Sequence, residues 1–176
     1  MDCPKCHQSA TPVAGSTHCP LCGFDLGPVH QRLRTIYLVS FGFFMSTVVY
    51  GATVWLLEHL NGFQTPATAP PAALAYALLA IGVIDFGLAT HILRRRALLC
   101  RDPAQLQTLM IIRLALAEAI VILGLVLYFV GRSVEWFAVF MALGFVAFLL
   151  IAFSMPQVAR RMGELVVAET DNAAPR

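Results

Sequence analysis

Residues 110–131 read MIIRLALAEAIVILGLVLYFVG, a nearly unbroken apolar stretch with one carboxylate, Glu118, near its middle. A helix needs about 20 apolar residues to cross a bilayer, so this stretch is long enough to span one. The helical rise places Glu118 roughly 13 Å beyond Leu109, well inside the hydrocarbon. A carboxylate is costly at that depth, and Glu118 is therefore a candidate functional residue.

The composition of the whole chain is that of a membrane protein. Of its 176 residues, 59% are hydrophobic and 12% are charged, which is too apolar for an ordinary soluble domain. Apolar segments of spanning length lie at about residues 33–57, 72–93, 109–130 and 134–155. We therefore expect an all-α membrane protein whose core is a four-helix transmembrane bundle.

Residues 1–27 contain four cysteines in the pattern Cys3-x2-Cys6-x12-Cys19-x2-Cys22. Each pair forms a Cys-Pro-x-Cys turn, and two such turns can bring four thiolates to one tetrahedral point, which suits zinc. A module this small needs a metal ion or disulfides to fold. Two disulfides, or an iron site of the rubredoxin kind, are the alternatives, but rubredoxins have a much longer spacer. The spacing thus predicts a small zinc ribbon in which these four cysteines bind Zn²⁺.

The second turn, HCPLCGFDL at residues 18–26, resembles the short zinc ribbons at the N-termini of many bacterial membrane proteins. The resemblance covers the whole module. Four thiolates close a zinc site and leave no position for water or substrate, so we expect no catalysis at the metal and a docking or folding role for the ribbon. Reduced thiolates are typical of the cytoplasm, which places the N-terminus there.

Arginine residues orient the bundle. They cluster before the first segment, between the second and third, and after the last, at Arg32, Arg34, Arg94, Arg95, Arg96, Arg101, Arg160 and Arg161. The other two connections hold only Arg132. By the positive-inside rule both termini face the cytoplasm, and we expect a multi-pass protein of the bacterial inner (cytoplasmic) membrane. The aromatic residues expected at the outer interface are Trp55, Tyr76, Tyr128 and Trp136.

A second carboxylate, Asp85, lies in the second segment at the depth of Glu118, roughly 18 Å from the outer end. The two segments are joined by a short loop and should be antiparallel neighbours, so the two carboxyls can face each other. Arg113 can pair with either acid or extend to the inner headgroups. Three interpretations follow: protonated carboxyls that donate interhelical hydrogen bonds, an intramembrane ion or proton site formed by Glu118 and Asp85, or a polar contact to a partner subunit.

The stretch ALAEAIVILGLVL, residues 115–127, is similar to the second helix of the rotor-ring proteolipid (c-type) subunit of F- and V-type ATP synthases. In that family the glutamate of this helix carries the transported proton or sodium ion, and Glu118 has the corresponding position. The resemblance covers this one helix. It implies an ion-carrying or ion-sensing membrane protein that uses Glu118 and Asp85.

The chain as a whole is divided into a ribbon (1–27), a transmembrane domain (28–156) and a cytoplasmic tail (157–176) that begins as a short helix. We expect a non-catalytic zinc-binding adaptor or accessory subunit, whose partners are membrane lipid and the proteins of a membrane complex. No enzyme is expected, since the sequence shows no nucleophile–base pair, phosphate loop or open metal site. Nucleic acid is not expected as a partner, because the only Lys or Arg of the ribbon is Lys5.

Overall fold

A computed structural model of the chain describes Cys3, Lys5, Cys6, residues 18–60 and residues 71–173. Five helices follow one another: α1 (Gly27–Leu60), α2 (Ala72–Gly87), α3 (Leu93–Leu99), α4 (Pro103–Gly131) and α5 (Val134–Ala173). A π-helical turn, Leu88–Ile92, joins α2 to α3 into one continuous rod. Four rods are long and apolar enough to cross a membrane, namely α1, α2 with α3, α4, and α5. The expected all-α fold with four spanning helices is confirmed.

The ends of α4 are fixed by local chemistry. Asp102 caps the first turn, because its Oδ1 accepts a hydrogen bond of 2.9 Å from the backbone N–H of Ala104. Pro103, which has no N–H to lose, occupies the first helical position. At the other end Arg132 adopts a left-handed conformation (φ 50°) and its N–H donates to the Tyr128 carbonyl at 2.7 Å. This tight turn returns the chain into α5 as an antiparallel neighbour of α4.

Helix α4 is the centre of the bundle and contacts each of the other helices. Its closest approach is to α5, where small residues bring the two backbones together. A Cβ built on Gly124 would lie 2.6 Å from Phe140 Cβ, and one on Gly144 would overlap Val121. Small residues are the usual means by which membrane helices pack closely, because lipid supplies no hydrophobic force between them.

Helix α5 continues through Pro156 to Ala173, well beyond the predicted end of the last span. Proline lacks an N–H and crowds the preceding turn, so it commonly ends helices in soluble proteins. Membrane helices tolerate it more often, because neighbouring groups satisfy the freed carbonyl. The continuation is stabilised by apolar side chains at helical spacing that are buried: Val158, Met162, Leu165 and Val166.

The extension of α5 packs in one buried cluster with the start of α1 and with the cysteine module. Val29 and Leu33 of α1 belong to this cluster, as do Cys19 and Phe24 of the module. An ion pair of 3.9 Å between Arg32 Nη2 and Glu169 Oε2 also joins α1 to α5. Helix α1 begins at Gly27, directly after the module. The module is therefore packed against the end of the helix bundle.

Aromatic residues gather at the end of the bundle opposite the cysteine module. The rings of Tyr76 and Trp136 contact edge to face with centroids 5.9 Å apart, and Trp55 stacks on His59 at 4.4 Å. Tyr128 differs from these three, since it is buried and donates a hydrogen bond of 2.8 Å to Glu58 Oε1. The four aromatic residues predicted for one interface thus share one end of the bundle.

Candidate metal centre and intramembrane polar residues

The sulfur atoms of Cys3, Cys6, Cys19 and Cys22 all lie within 4.8 Å of one another. The Cys3 and Cys22 Sγ atoms are 3.6 Å apart, and those of Cys6 and Cys19 are 3.9 Å apart. A tetrahedral site with metal–sulfur bonds of about 2.3 Å has sulfur–sulfur edges of about 3.8 Å. In a disulfide bond the two sulfur atoms would lie only about 2.05 Å apart. The four thiols therefore match a tetrahedral metal site and can hold a metal ion.

The second Cys-Pro-x-Cys turn is a compact knuckle that ends on a glycine. The Gly23 N–H donates to the Cys19 carbonyl, and the Cys19 N–H donates to the Phe24 carbonyl, both at 2.8 Å. Gly23 has φ +69°, a left-handed conformation in which a side chain costs about 1–2 kcal/mol. This turn places Phe24 beneath the cluster, where the ring is buried.

Two thiols of the cluster, those of Cys19 and Cys22, differ in pKa. Backbone N–H groups of Leu21 and Cys22 donate to the Cys19 sulfur and lower the pKa of Cys19 to about 6. At Cys22 the backbone N–H of Phe24 acts in the same direction, but partial desolvation of the sulfur and the neighbouring cysteine sulfurs outweigh it and raise the pKa to about 12. A metal ion binds thiolates, so its binding at this cluster displaces the thiol protons that remain.

The cluster presents one buried side and one exposed side. Cys3 and Cys19 are buried in the cluster that the module shares with α1 and α5. Cys22 and the preceding Leu21 are exposed, and Leu21 has 59% of its surface free. An apolar side chain at the tip of a metal knuckle can contact another protein while the metal stays enclosed.

Glu118 connects α4 to α1. Its Oε1 accepts hydrogen bonds from Ser46 Oγ and, at 3.4 Å, from Tyr50 Oη. Ser46 and Tyr50 lie one turn apart on α1 and so share a face. The sequence identified Glu118 but neither hydroxyl; their four-residue spacing within an apolar helix was the signal that could have found them. The half-buried carboxylate therefore has two oxygen-bearing neighbours.

Asp85 is half-buried on α2, and its carboxyl makes no hydrogen bond or ion pair with the residues that the structure describes. The expected contact between the two carboxyls is therefore not seen, and Glu118 instead lies on the face of α4 that meets α1.

Among the residues that the structure describes, Arg113 pairs with no acid, one of the two roles expected for it, and its side chain is enclosed in the bundle. It is fully buried between α2, α4 and α5. Its Nε donates to the Ala89 carbonyl at 2.7 Å, and its Nη1 donates to Ser154 Oγ and to Met110 Sδ, both at 3.3 Å. Ala89 belongs to the π-helical turn. Its Nη2 has no hydrogen-bond partner among the described residues.

The chain was also compared with known proteins. No protein-family model matches it, and no curated protein or solved structure matches it either. Its function has to be argued from three features of its own residues: a four-thiolate cluster, a carboxylate bonded to two hydroxyls, and a buried arginine.

Proposed function

We propose that this chain is a non-catalytic zinc-binding adaptor or accessory subunit of a membrane complex, with its ribbon docking a cytoplasmic partner. The observation that supports it most directly is the closed cluster of four thiols, whose buried members Cys3 and Cys19 share a core with α1 and α5. Four thiolates leave the metal no open position for a substrate. A ribbon fixed in this way can hold a bound protein at a set position against the bundle.

Zinc is the metal that we assign to the cluster. Its filled d shell imposes no geometry of its own, so it accepts the tetrahedron that the four sulfurs define. It is also redox-inactive, which suits a site that serves folding rather than electron transfer. Both termini lie in the cytoplasm in this proposal, where the thiols stay reduced.

The docking surface includes Leu21, the exposed residue at the tip of the second turn. A pull-down in mild detergent, followed by mass spectrometry, tests it with three forms of the full chain: unchanged, Leu21→Ser, and Leu99→Ser as the matched control. Leu99 is another exposed leucine, at the end of α3, and 78% of its surface is accessible to solvent. We expect proteins that co-purify with the unchanged chain and with Leu99→Ser, and that are depleted in Leu21→Ser.

Two outcomes contradict the adaptor proposal. One is a protein that purifies as a pure homo-oligomer from its native membrane at low detergent. The other is an identical set of partners for all three forms, which would exclude the tip of the ribbon as the docking surface.

A second candidate function, ion carriage or ion sensing, is favoured by the contacts of Glu118. Its carboxylate and the hydroxyls of Ser46 and Tyr50 offer oxygen atoms of the kind that bind a proton or a sodium ion. Carbodiimide labelling tests this function, because the reagent modifies a protonated carboxyl that it can reach. Labelling of Glu118 that is suppressed by raised pH or by added sodium supports ion carriage; an inert Glu118 contradicts it. Asp85, whose carboxyl makes no contact with Glu118 in the described part of the chain, serves as the internal comparison.

A further inference from the structure

Arg113 carries a buried positive charge that no acid balances in the described part of the chain. All three of its acceptors are neutral: a backbone carbonyl, a hydroxyl and a thioether. An ion moved from water into a protein interior costs several kcal/mol unless a counter-charge is near. The remaining nitrogen, Nη2, is buried with two N–H groups and no acceptor.

A second cation adds to the positive potential at this place. The charge of Arg94 acts on the Arg113 guanidinium. Arg94 is itself bonded to a neutral group, since its Nη2 donates to Gln157 Oε1 at 3.2 Å. Arg94 is exposed to solvent, which screens its charge, so the uncompensated charge at this place is mainly that of Arg113.

Asp85 does not supply that negative charge, and helix geometry explains why. It lies one turn from Ala89 on α2, toward the aromatic end of the bundle. Side chains tilt toward the N-terminus of their own helix, and α2 and α4 run in opposite directions. Asp85 therefore tilts toward the aromatic end while Arg113 tilts toward the ribbon end. No ion pair or hydrogen bond joins the two side chains in the described part of the chain.

We propose that Arg113 forms, between α2, α4 and α5, a binding site for a small monovalent inorganic anion of halide size. The guanidinium is fully buried, so a side chain of a partner protein or a lipid phosphate cannot reach it. Nη2 is closed to water in this structure, so a halide reaches it only when a neighbouring element moves, and it then accepts hydrogen bonds from both N–H groups of Nη2. The neighbouring π-helical turn is the element that can shift to admit it, and such turns occur frequently at functional sites. This site is independent of the ribbon and of the docking role.

The test is thermal unfolding of the purified full-length protein while sodium chloride replaces sodium gluconate at constant ionic strength. For the unchanged chain we expect a saturable rise in Tm of roughly 5 °C when chloride greatly exceeds its dissociation constant. Arg113→Gln should lose this rise. The matched control is Arg95→Gln, which removes an exposed arginine of α3 and should keep the rise in full.

A Tm of the unchanged chain that is the same in chloride and gluconate overturns the proposal. An equal loss of the chloride effect in Arg95→Gln also overturns it, since the effect would then be general charge screening. If Arg113→Gln does not fold, equilibrium dialysis of radiolabelled chloride against the unchanged protein decides the question. Saturable binding that bromide displaces supports the site, and no saturable binding excludes it.

Discussion

Glu118 is a residue at which charge and hydrogen bonding can be separated by substitution. Glu118→Gln keeps the size and an amide oxygen that can accept from Ser46 and Tyr50. Interhelical hydrogen bonds in membranes contribute only about 0.6 kcal/mol on average, so we expect a Tm close to that of the unchanged chain. Glu118→Leu removes the acceptor altogether and should unfold at a lower temperature. Thermal unfolding in detergent measures both; a Gln variant as unstable as the Leu variant would show that the charge itself stabilises the bundle.

Gly144 is the residue where α4 and α5 leave least room. A Cβ at this position overlaps Val121 and lies 3.3 Å from the Ala117 carbonyl. Gly144→Ala should therefore destabilise the bundle by about 1–3 kcal/mol, the usual cost of overpacking. Gly42→Ala is the control, because a Cβ there meets nothing within 4 Å. Comparison of their unfolding temperatures checks the contact, and a Gly144→Ala variant as stable as the control would contradict it.

At the scale of elements, we expect the cysteine module to depend on a bound metal ion for its folding and the helices to form without it. Cys19→Ser removes a ligand from the four-sulfur cluster, whereas each spanning helix satisfies its own backbone hydrogen bonds. We expect about one zinc per chain in the unchanged protein, far less in Cys19→Ser, and membrane insertion in both. Cys100→Ser is the matched control, since Cys100 lies outside the cluster and should leave the zinc content unchanged. Elemental analysis of purified membranes and of purified protein measures the zinc content of the three forms. Iron in place of zinc would contradict the assignment.

The sequence predicted the elements whose signals are local and failed where packing decides. Four spans follow from apolar length alone, and the cysteine cluster follows from two short turns. The continuation of α5 past Pro156 could not be predicted, because it depends on Met162 and Leu165 joining the buried cluster that also contains residues of α1. The contacts of Arg113 depend likewise on a π-helical turn in another helix. Packing between helices also decides that Glu118 lies on the face of α4 that contacts α1.

At the scale of the whole molecule, the basic residues and the cysteine module share one end. Arg32 pairs with Glu169 beside the module, and Arg161 donates to the Cys100 carbonyl near the end of α3. The opposite end contains Arg132 and the aromatic cluster. One end of the bundle thus has many arginines, whereas the other end has one arginine and the aromatic residues. Such an asymmetry orients proteins in membranes.

This asymmetry predicts that the ribbon and both termini face the cytoplasm. A reporter that is active only outside the cytoplasm should be active when fused after Leu60, at the end of α1, and inactive when fused after Leu99, at the end of α3. A reporter active only in the cytoplasm, fused at the same two positions, is the control and should give the opposite pattern. The physical reason is that arginine-rich connections resist translocation, and the connection after α3 lies beside Arg94, Arg95 and Arg96. The reverse activities would place the thiols in an oxidising compartment, where disulfides would compete with zinc for the four cysteines.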